Sequence, residues 1–302
     1  MSSPVSAFMF RLARSVVVFC CASPSILLQA QVQQGTCSFS HFNINNVAGA
    51  VFFDVSGINN WSTVVGSASF AHAPTQGFAR YADGSLRFFY VPNSLFTHFT
   101  AQNNRGVTVG TYALIGTVTV KGFMLDGSTF TSISFPKRGP RGTFVNGINK
   151  WKTTVGYYID SNRLAHGFKR HSDGSFITLD YPGASETHPV AINNSGVIVG
   201  SYYDGNGTHG FIYQNGQWTG VDRVVGLGNT SFSGISDSGV ALGNWNWREN
   251  VPFLYDHGVY KDVDDPAADF GNTVARGMSS NGLIVGYETI NSAQNDFIAT
   301  CQ

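Results

Sequence analysis

The segment PVAINNSGVIVGSYYDGNGTHGFIYQNGQWTGV, residues 189–221, breaks into four short runs of β-formers divided by turn residues. It reads as strands over about Pro189–Ile192, Val197–Tyr203, Gly210–Tyr213 and Gln217–Val221. Asn215-Gly216 joins the last two. Asn-Gly is favoured in tight hairpins because both central residues tolerate positive φ. Four strands in so few residues leave room only for an antiparallel meander.

Working outward, the glycine that ends Ile198-Val199-Gly200 has counterparts at Gly66, Gly110, Gly156, Gly243 and Gly286, 43 to 46 residues apart. Gly57-Ile58-Asn59-Asn60 and Gly147-Ile148-Asn149-Lys150 match Ala191-Ile192-Asn193-Asn194 ahead of it. Behind it, Gly210-Phe211 is matched by Gly77-Phe78, Gly122-Phe123 and Gly167-Phe168, with Pro252-Phe253 and Asp296-Phe297 as looser copies. A meander of this size cannot bury both faces alone and must stack on neighbours. The expected architecture is therefore all-β: a six-bladed β-propeller of four-stranded blades.

The ends of the chain predict how such a ring closes. The sixth copy stops at Cys301, after its third strand, and Ser40–Ala50 aligns with Gly174–Ala184 of the third copy. An N-terminal strand is thus expected to complete the last blade. That alignment sets Cys37 at the place of His171 and Cys301 at that of Ser172, and predicts a Cys37–Cys301 disulfide that staples the closing blade.

Arg11 and Arg14 precede an apolar stretch, Ser15 to Leu28, followed by Leu28-Gln29-Ala30. This is a signal-peptide pattern with cleavage after Ala30. The division expected is a signal peptide over 1–30 and one propeller domain over 31–302, secreted or periplasmic, monomeric and without a membrane span after cleavage. Removal of residues 1–30 leaves 16 basic against 18 acidic side chains. That balance argues against a nucleic-acid partner, which needs a basic surface.

Gly-Ile-Asn-Asn, Val-Val-Gly, His-Gly-Phe and Asp180-Tyr181-Pro182-Gly183-Ala184 together resemble the extracellular HAF repeat family, over the whole expected mature chain. The resemblance implies an exported bacterial protein and supplies no catalytic residues. Only His166 and His209 keep the family's histidine.

Alternating strand direction sends the second-to-third and fourth-to-first connections to one face. Tyr157, Tyr158 and Asp160, Tyr202, Tyr203 and Asp204, Trp245 and Trp247, and Glu186 with His188 are expected there. Aromatics beside carboxylates suit sugar rings and hydroxyls. From these, Tyr158, Asp160, Glu186, His188, Tyr203, Asp204 and Trp245 are the candidate ligand-binding set, with carbohydrate or another extracellular protein as partner. The competing reading of the aromatics is packing between blades. His166 and His209 stand at equivalent positions, but Gln76, Lys121, Val251 and Asn295 replace them elsewhere. A symmetric metal ring is thereby excluded, a hydrogen-bonding role is expected, and no cofactor or metal motif is found. Asp204-Gly205-Asn206-Gly207-Thr208 lacks the downstream Glu of a calcium loop. A non-catalytic binding module leads; the alternatives are an extracellular polysaccharide hydrolase or lyase using Asp160, Asp204 and Glu186, and a purely structural propeller.

Overall fold

The computed structural model describes residues 32–302 except 35, 45, 46, 48, 226, 227, 247–249, 270, 271 and 292. The expected signal peptide and Trp247 lie outside the described residues. The chain begins with β1 (Val32–Gln34) and β2 (Cys37–Phe42). The first repeat holds β3 (Ala50–Ile58), β4 (Val64–Phe70), β5 (Ala73–Arg80) and β6 (Leu86–Phe89). The second holds β7 (Ser94–Gln102), β8 (Thr108–Leu114), β9 (Val120–Asp126) and β10 (Thr129–Ile133). In the third are β11 (Gly142–Ile148), β12 (Thr154–Ile159), β13 (Ala165–Arg170) and β14 (Phe176–Leu179). The fourth has β15 (Glu186–Ile192), β16 (Ile198–Tyr203), β17 (Thr208–Gln214) and β18 (Gln217–Val221). The fifth has β19 (Thr230–Ile235), β20 (Ala241–Asn246), β21 (Asn250–Asp256) and β22 (Val259–Asp262), and the sixth β23 (Thr273–Met278), β24 (Ile284–Ile290) and β25 (Ala293–Cys301). No helix among the described residues is long and apolar enough to cross a membrane.

These strands form four sheets. The fourth repeat is a sheet by itself. The first three repeats join into one, through single-residue parallel bridges at Thr75–Phe96 and Gly142–Val120. The fifth gains β1, laid parallel on β22, a pairing the repeat pattern did not announce. The sixth is completed by β2, antiparallel to β25, with Cys37 opposite Cys301 and bonded to it. Strand and disulfide agree with expectation, but the alignment was three residues out: it set Phe42 beside Phe176, whereas Phe42 faces Asp296 as Leu179 faces Gly167. An odd shift exchanges the two faces of a strand. In the observed register Phe39 packs edge-on to Phe297 at 5.1 Å and His41 shares its face.

The repeat signature has a steric cause. The phenylalanines Phe78, Phe123, Phe168, Phe211, Phe253 and Phe297 are wholly buried, each contributing about 1.5–3 kcal/mol of transfer free energy. The recurrent glycine of the second strand lies beneath them. A Cβ on Gly200 would stand 2.1 Å from the His188 carbonyl oxygen and 2.9 Å from the Phe211 ring, and Gly66, Gly110 and Gly286 are confined in the same way. In the β17–β18 hairpin, Asn215 and Gly216 have φ of 51° and 82°, as the dipeptide predicts.

The six first strands touch in cyclic order, β3 to β7, β11, β15, β19, β23 and back to β3. Their turns are stitched together. Asn149 Oδ1 accepts hydrogen bonds from the Trp151 and Thr153 amides while its Nδ2 donates to the Asn193 carbonyl of the next repeat. Asn103 and Asn193 do the same toward Asn149 and Ser236. This is the physical meaning of Ile-Asn-Asn.

Candidate functional site

Every first strand carries a β-bulge near its middle, at Ser56, Thr100, Asn146, Val190, Ser233 and Arg276. A bulge leaves one residue unpaired and re-aims its side chain. All six line a single axial cavity of about 320 Å³. Small residues follow the bulges, because a Cβ on Gly57, Gly147 or Gly277 would lie 2.7–2.8 Å from a carbonyl oxygen of the neighbouring inner strand. Thr100 donates to the Val145 carbonyl at 2.8 Å and Asn146 to the Pro189 carbonyl at 2.9 Å, so these side chains are oriented before any ligand arrives. Arg276 is the charged member, 3.4 Å from Asp54.

The rim of the cavity is made by the first-to-second-strand turns, including Asn59, Asn104, Lys150 and Asn194. Two indoles stand there: Trp61, 70% exposed, and Trp151, 54% exposed. Each is tethered by its N–H, Trp61 to the Asn104 carbonyl at 3.1 Å and Trp151 to the Asn194 carbonyl at 3.2 Å, which leaves the ring at the surface. Lys150 lies 4.7 Å from the Trp151 ring centre. The result is a polar well with aromatic plates at its edge.

The residues expected on the opposite face are placed as follows. Tyr158 is 6% exposed and stacks face to face on Phe135 at 3.9 Å, with His166 against its other side at 5.3 Å. Tyr202 stands likewise between Tyr181, at 3.7 Å, and His209, at 5.1 Å. Burial raises the phenol of each above its ordinary value. His166 reaches Asp180 at 3.0 Å and Asp160 at 3.5 Å, and His209 reaches Asp222 at 2.9 Å and Asp204 at 3.4 Å. Each histidine therefore ties together the two loops beside it.

Asp160 also accepts from the Asn162 and Leu164 amides, and Asp204 from those of Asn206 and Gly207, which hold both carboxyls below their ordinary range. Glu186 pairs with His188 at 3.2 Å, and His188 leans on Tyr157 at 4.6 Å. Trp245 lies under Arg223, 5.7 Å from its ring centre, and its indole nitrogen is buried. Tyr203 is 43% exposed, with its hydroxyl turned to the Gly205 carbonyl at 3.4 Å. The structure brings Asp160 to His166 and Asp204 to His209, not the seven candidates into one cleft.

Sequence reasoning missed Trp61, Trp151 and the bulge residues. Asn59-Asn60-Trp61 and Asn149-Lys150-Trp151 gave the available signal for the indoles: an aromatic two residues after the turn asparagine, where a buried ring has no place. Bulges left only the recurrent small residue before Ile58, Ile148, Ile192 and Ile235.

No family model and no curated protein matches the chain. Solved structures do match it. AofleA from Arthrobotrys oligospora aligns at TM-score 0.54 and 12% identity, over 88% of this chain and 90% of that one. Aleuria aurantia lectin, as a variant in complex with Fucα1-6GlcNAc, aligns at 0.52 and 10%, over 83% and 94%. Virginiamycin B lyase from Staphylococcus aureus, as an inactive variant with quinupristin, aligns at 0.52 and 9%, over 88% and 100%. These are β-propeller proteins. The fold is that of a β-propeller. At such identities the likeness speaks for the fold alone.

Proposed function

We propose that the chain is an exported, non-catalytic carbohydrate-binding propeller of the extracellular HAF repeat type, with six four-stranded blades and its ligand seated at the axial well. One observation carries this reading: Ser56, Thr100, Asn146, Val190, Ser233 and Arg276, the six bulge residues, line one cavity, and the exposed indoles of Trp61 and Trp151 are tethered to Asn104 and Asn194 at its rim. Hydroxyl and amide groups match the hydrogen-bonding edge of a sugar, and an indole matches its apolar face. A complex of the Aleuria lectin with a fucosylated disaccharide supports the class of ligand. The cycle of inner strands and the β2–β25 pairing support the blade count. The carboxylates a hydrolase would use are already engaged, Asp160 and Asp204 by backbone amides and histidines, Glu186 by His188.

A glycan array probed with the purified chain tests the proposal. Binding to a defined sugar is expected, weakened about tenfold or more by Trp151→Ala, in keeping with about 1.4 kcal/mol for one aromatic contact. Tyr203→Ala and Asp204→Ala leave it unchanged. Retention by Trp151→Ala with loss in Tyr203→Ala moves the site to the opposite face, and a blank array rejects a carbohydrate ligand.

A further inference from the structure

The stacks of the third and fourth repeats occupy fixed places in the repeat. One partner lies two residues beyond the residue that faces the glycine before the core phenylalanine (Phe135, Tyr181). The other lies on the second strand, two residues after the recurrent glycine (Tyr158, Tyr202). In the fifth repeat the same two places hold Arg223 and Trp245, a cation over a ring. In the sixth they hold Asp265 and Glu288. Two carboxyls thus stand where the third and fourth repeats bury two rings, with Asp265 6% and Glu288 0% exposed.

Burying carboxylates together is costly unless something positive joins them. His41, on the closing strand β2, supplies the third group. It occupies the place of Thr178 and Gly220, toward which the hydroxyl ends of Tyr158 and Tyr202 point in their own repeats. Its Nε2 is bonded to Glu288 Oε1 and lies 3.1 Å from Asp265 Oδ2. One N–H cannot serve both. Asp265 Oδ1 is taken by the Ala267 amide at 2.8 Å, which fixes the loop and leaves Oδ2 turned to the cluster. Glu288 Oε2 and Asp265 Oδ2 are fully buried, and with both carboxyls ionised neither receives a hydrogen bond. The donor atoms of the three side chains lie within 4.8 Å of one another.

We infer that His41, Asp265 and Glu288 form a binding site for a divalent first-row metal ion of the zinc class, built where the closing strand meets the sixth repeat. One imidazole and two carboxylates are the ligand types such ions take, and three protein ligands leave further positions for water. Calcium fits poorly, because it seeks six to eight oxygens. The orphaned oxygens mark where the ion's charge is needed.

Chelator-treated chain with its disulfide formed, titrated with Zn²⁺ by calorimetry and weighed by native mass spectrometry, tests the site. One equivalent of zinc is expected, with Ca²⁺ bound at least ~100-fold more weakly. His41→Gln and Glu288→Gln each reduce zinc affinity by about 100-fold or more. Glu288→Tyr restores the ring of the other repeats and removes the equivalent. His41 is 36% exposed, so His41→Gln decides the matter should the Glu288 variants fail to fold. No zinc uptake by the parent means the carboxyls share only a proton and overturns the site. Equal uptake by parent and His41→Gln locates zinc elsewhere and overturns it too.

Discussion

The third and fourth repeats and the fifth and sixth repeats solve the same packing problem with different chemistry. In the former pair, asparagine caps its own turn and reaches the next repeat, Asn149 to Asn193 and Asn193 to Ser236, and two rings stack beside a histidine. In the latter pair serine stands at the turn: Ser236 and Ser279 accept from the Val240 and Leu283 amides but are too short to reach onward. The stacks give way to Arg223 over Trp245, then to Asp265 and Glu288. What the divergent repeats lose at the turns is replaced elsewhere: Asn244 donates to the Ala275 carbonyl and Asn250 to the Thr273 carbonyl of the sixth repeat, β1 runs along β22, β2 along β25, and Cys37 is bonded to Cys301. Repetition holds the third and fourth repeats, and pairing with the N-terminal strands holds the fifth and sixth.

The contrast breaks most visibly at the disulfide. Cys37→Ser, or reduction of the parent, is expected to lower unfolding free energy by about 2–5 kcal/mol, as for loops of this length. Hydrogen exchange should rise first in β2, β25 and the sixth repeat. Urea titration with and without reductant measures it, and a loss below about 1 kcal/mol shows that strand pairing alone closes the ring.

At the turns the expected difference is smaller. Asn149→Ala removes two capping bonds and one inter-repeat bond and should cost about 2–3 kcal/mol, whereas Ser279→Ala, with its bond to the Leu283 amide, should cost about 1 kcal/mol. Equal losses in chemical denaturation would remove the distinction between asparagine-turn and serine-turn repeats.

Asp296 sharpens the comparison least but with a definite sign. It stands where the third and fourth repeats have Gly167 and Gly210, and burial, with Asp54 nearby, pushes its carboxyl up to about 6 from an ordinary 3.8. The folded chain therefore holds this proton more tightly than the unfolded chain. Its stability contribution is complete below the ordinary value and is lost as pH rises through about 6. Asp296→Asn should flatten that fall and leave the variant more stable than the parent above pH 7, by on the order of 1–2 kcal/mol. Thermal melts from pH 4 to 8 decide it; parallel curves for the two proteins would refute the assignment.

Architecture was legible because it is written in recurrent residues with a steric or bonding cause: a glycine beneath a phenylalanine, an asparagine at the turns of the first four repeats, and a cysteine on each of β2 and β25. The fourth repeat's strands fell close to their expected bounds, with β15 beginning at Glu186 rather than Pro189 because the pattern of β-formers says nothing about polar residues that merely continue a ladder. Register at the closing strand was misjudged, since the matching residues between Ser40 and Ala50 belong mostly to a connection whose length is free to vary. The site was harder to read. A bulge has no residue signature of its own, and Glu288, in Val285-Gly286-Tyr287-Glu288-Thr289, looks like an ordinary solvent-facing strand residue until its fully buried position is known.

The pairing of β2 with β25 also bears on assembly. Its partners are 264 residues apart in the chain at the cysteines. Local hairpins form early, whereas this contact joins segments far apart in the chain, so its formation is a slow and highly non-local event. Until then β25 offers an uncovered edge able to recruit a strand from another molecule. The bond between the two thiols then acts as a latch that keeps β2 from leaving β25 unless reductant is present.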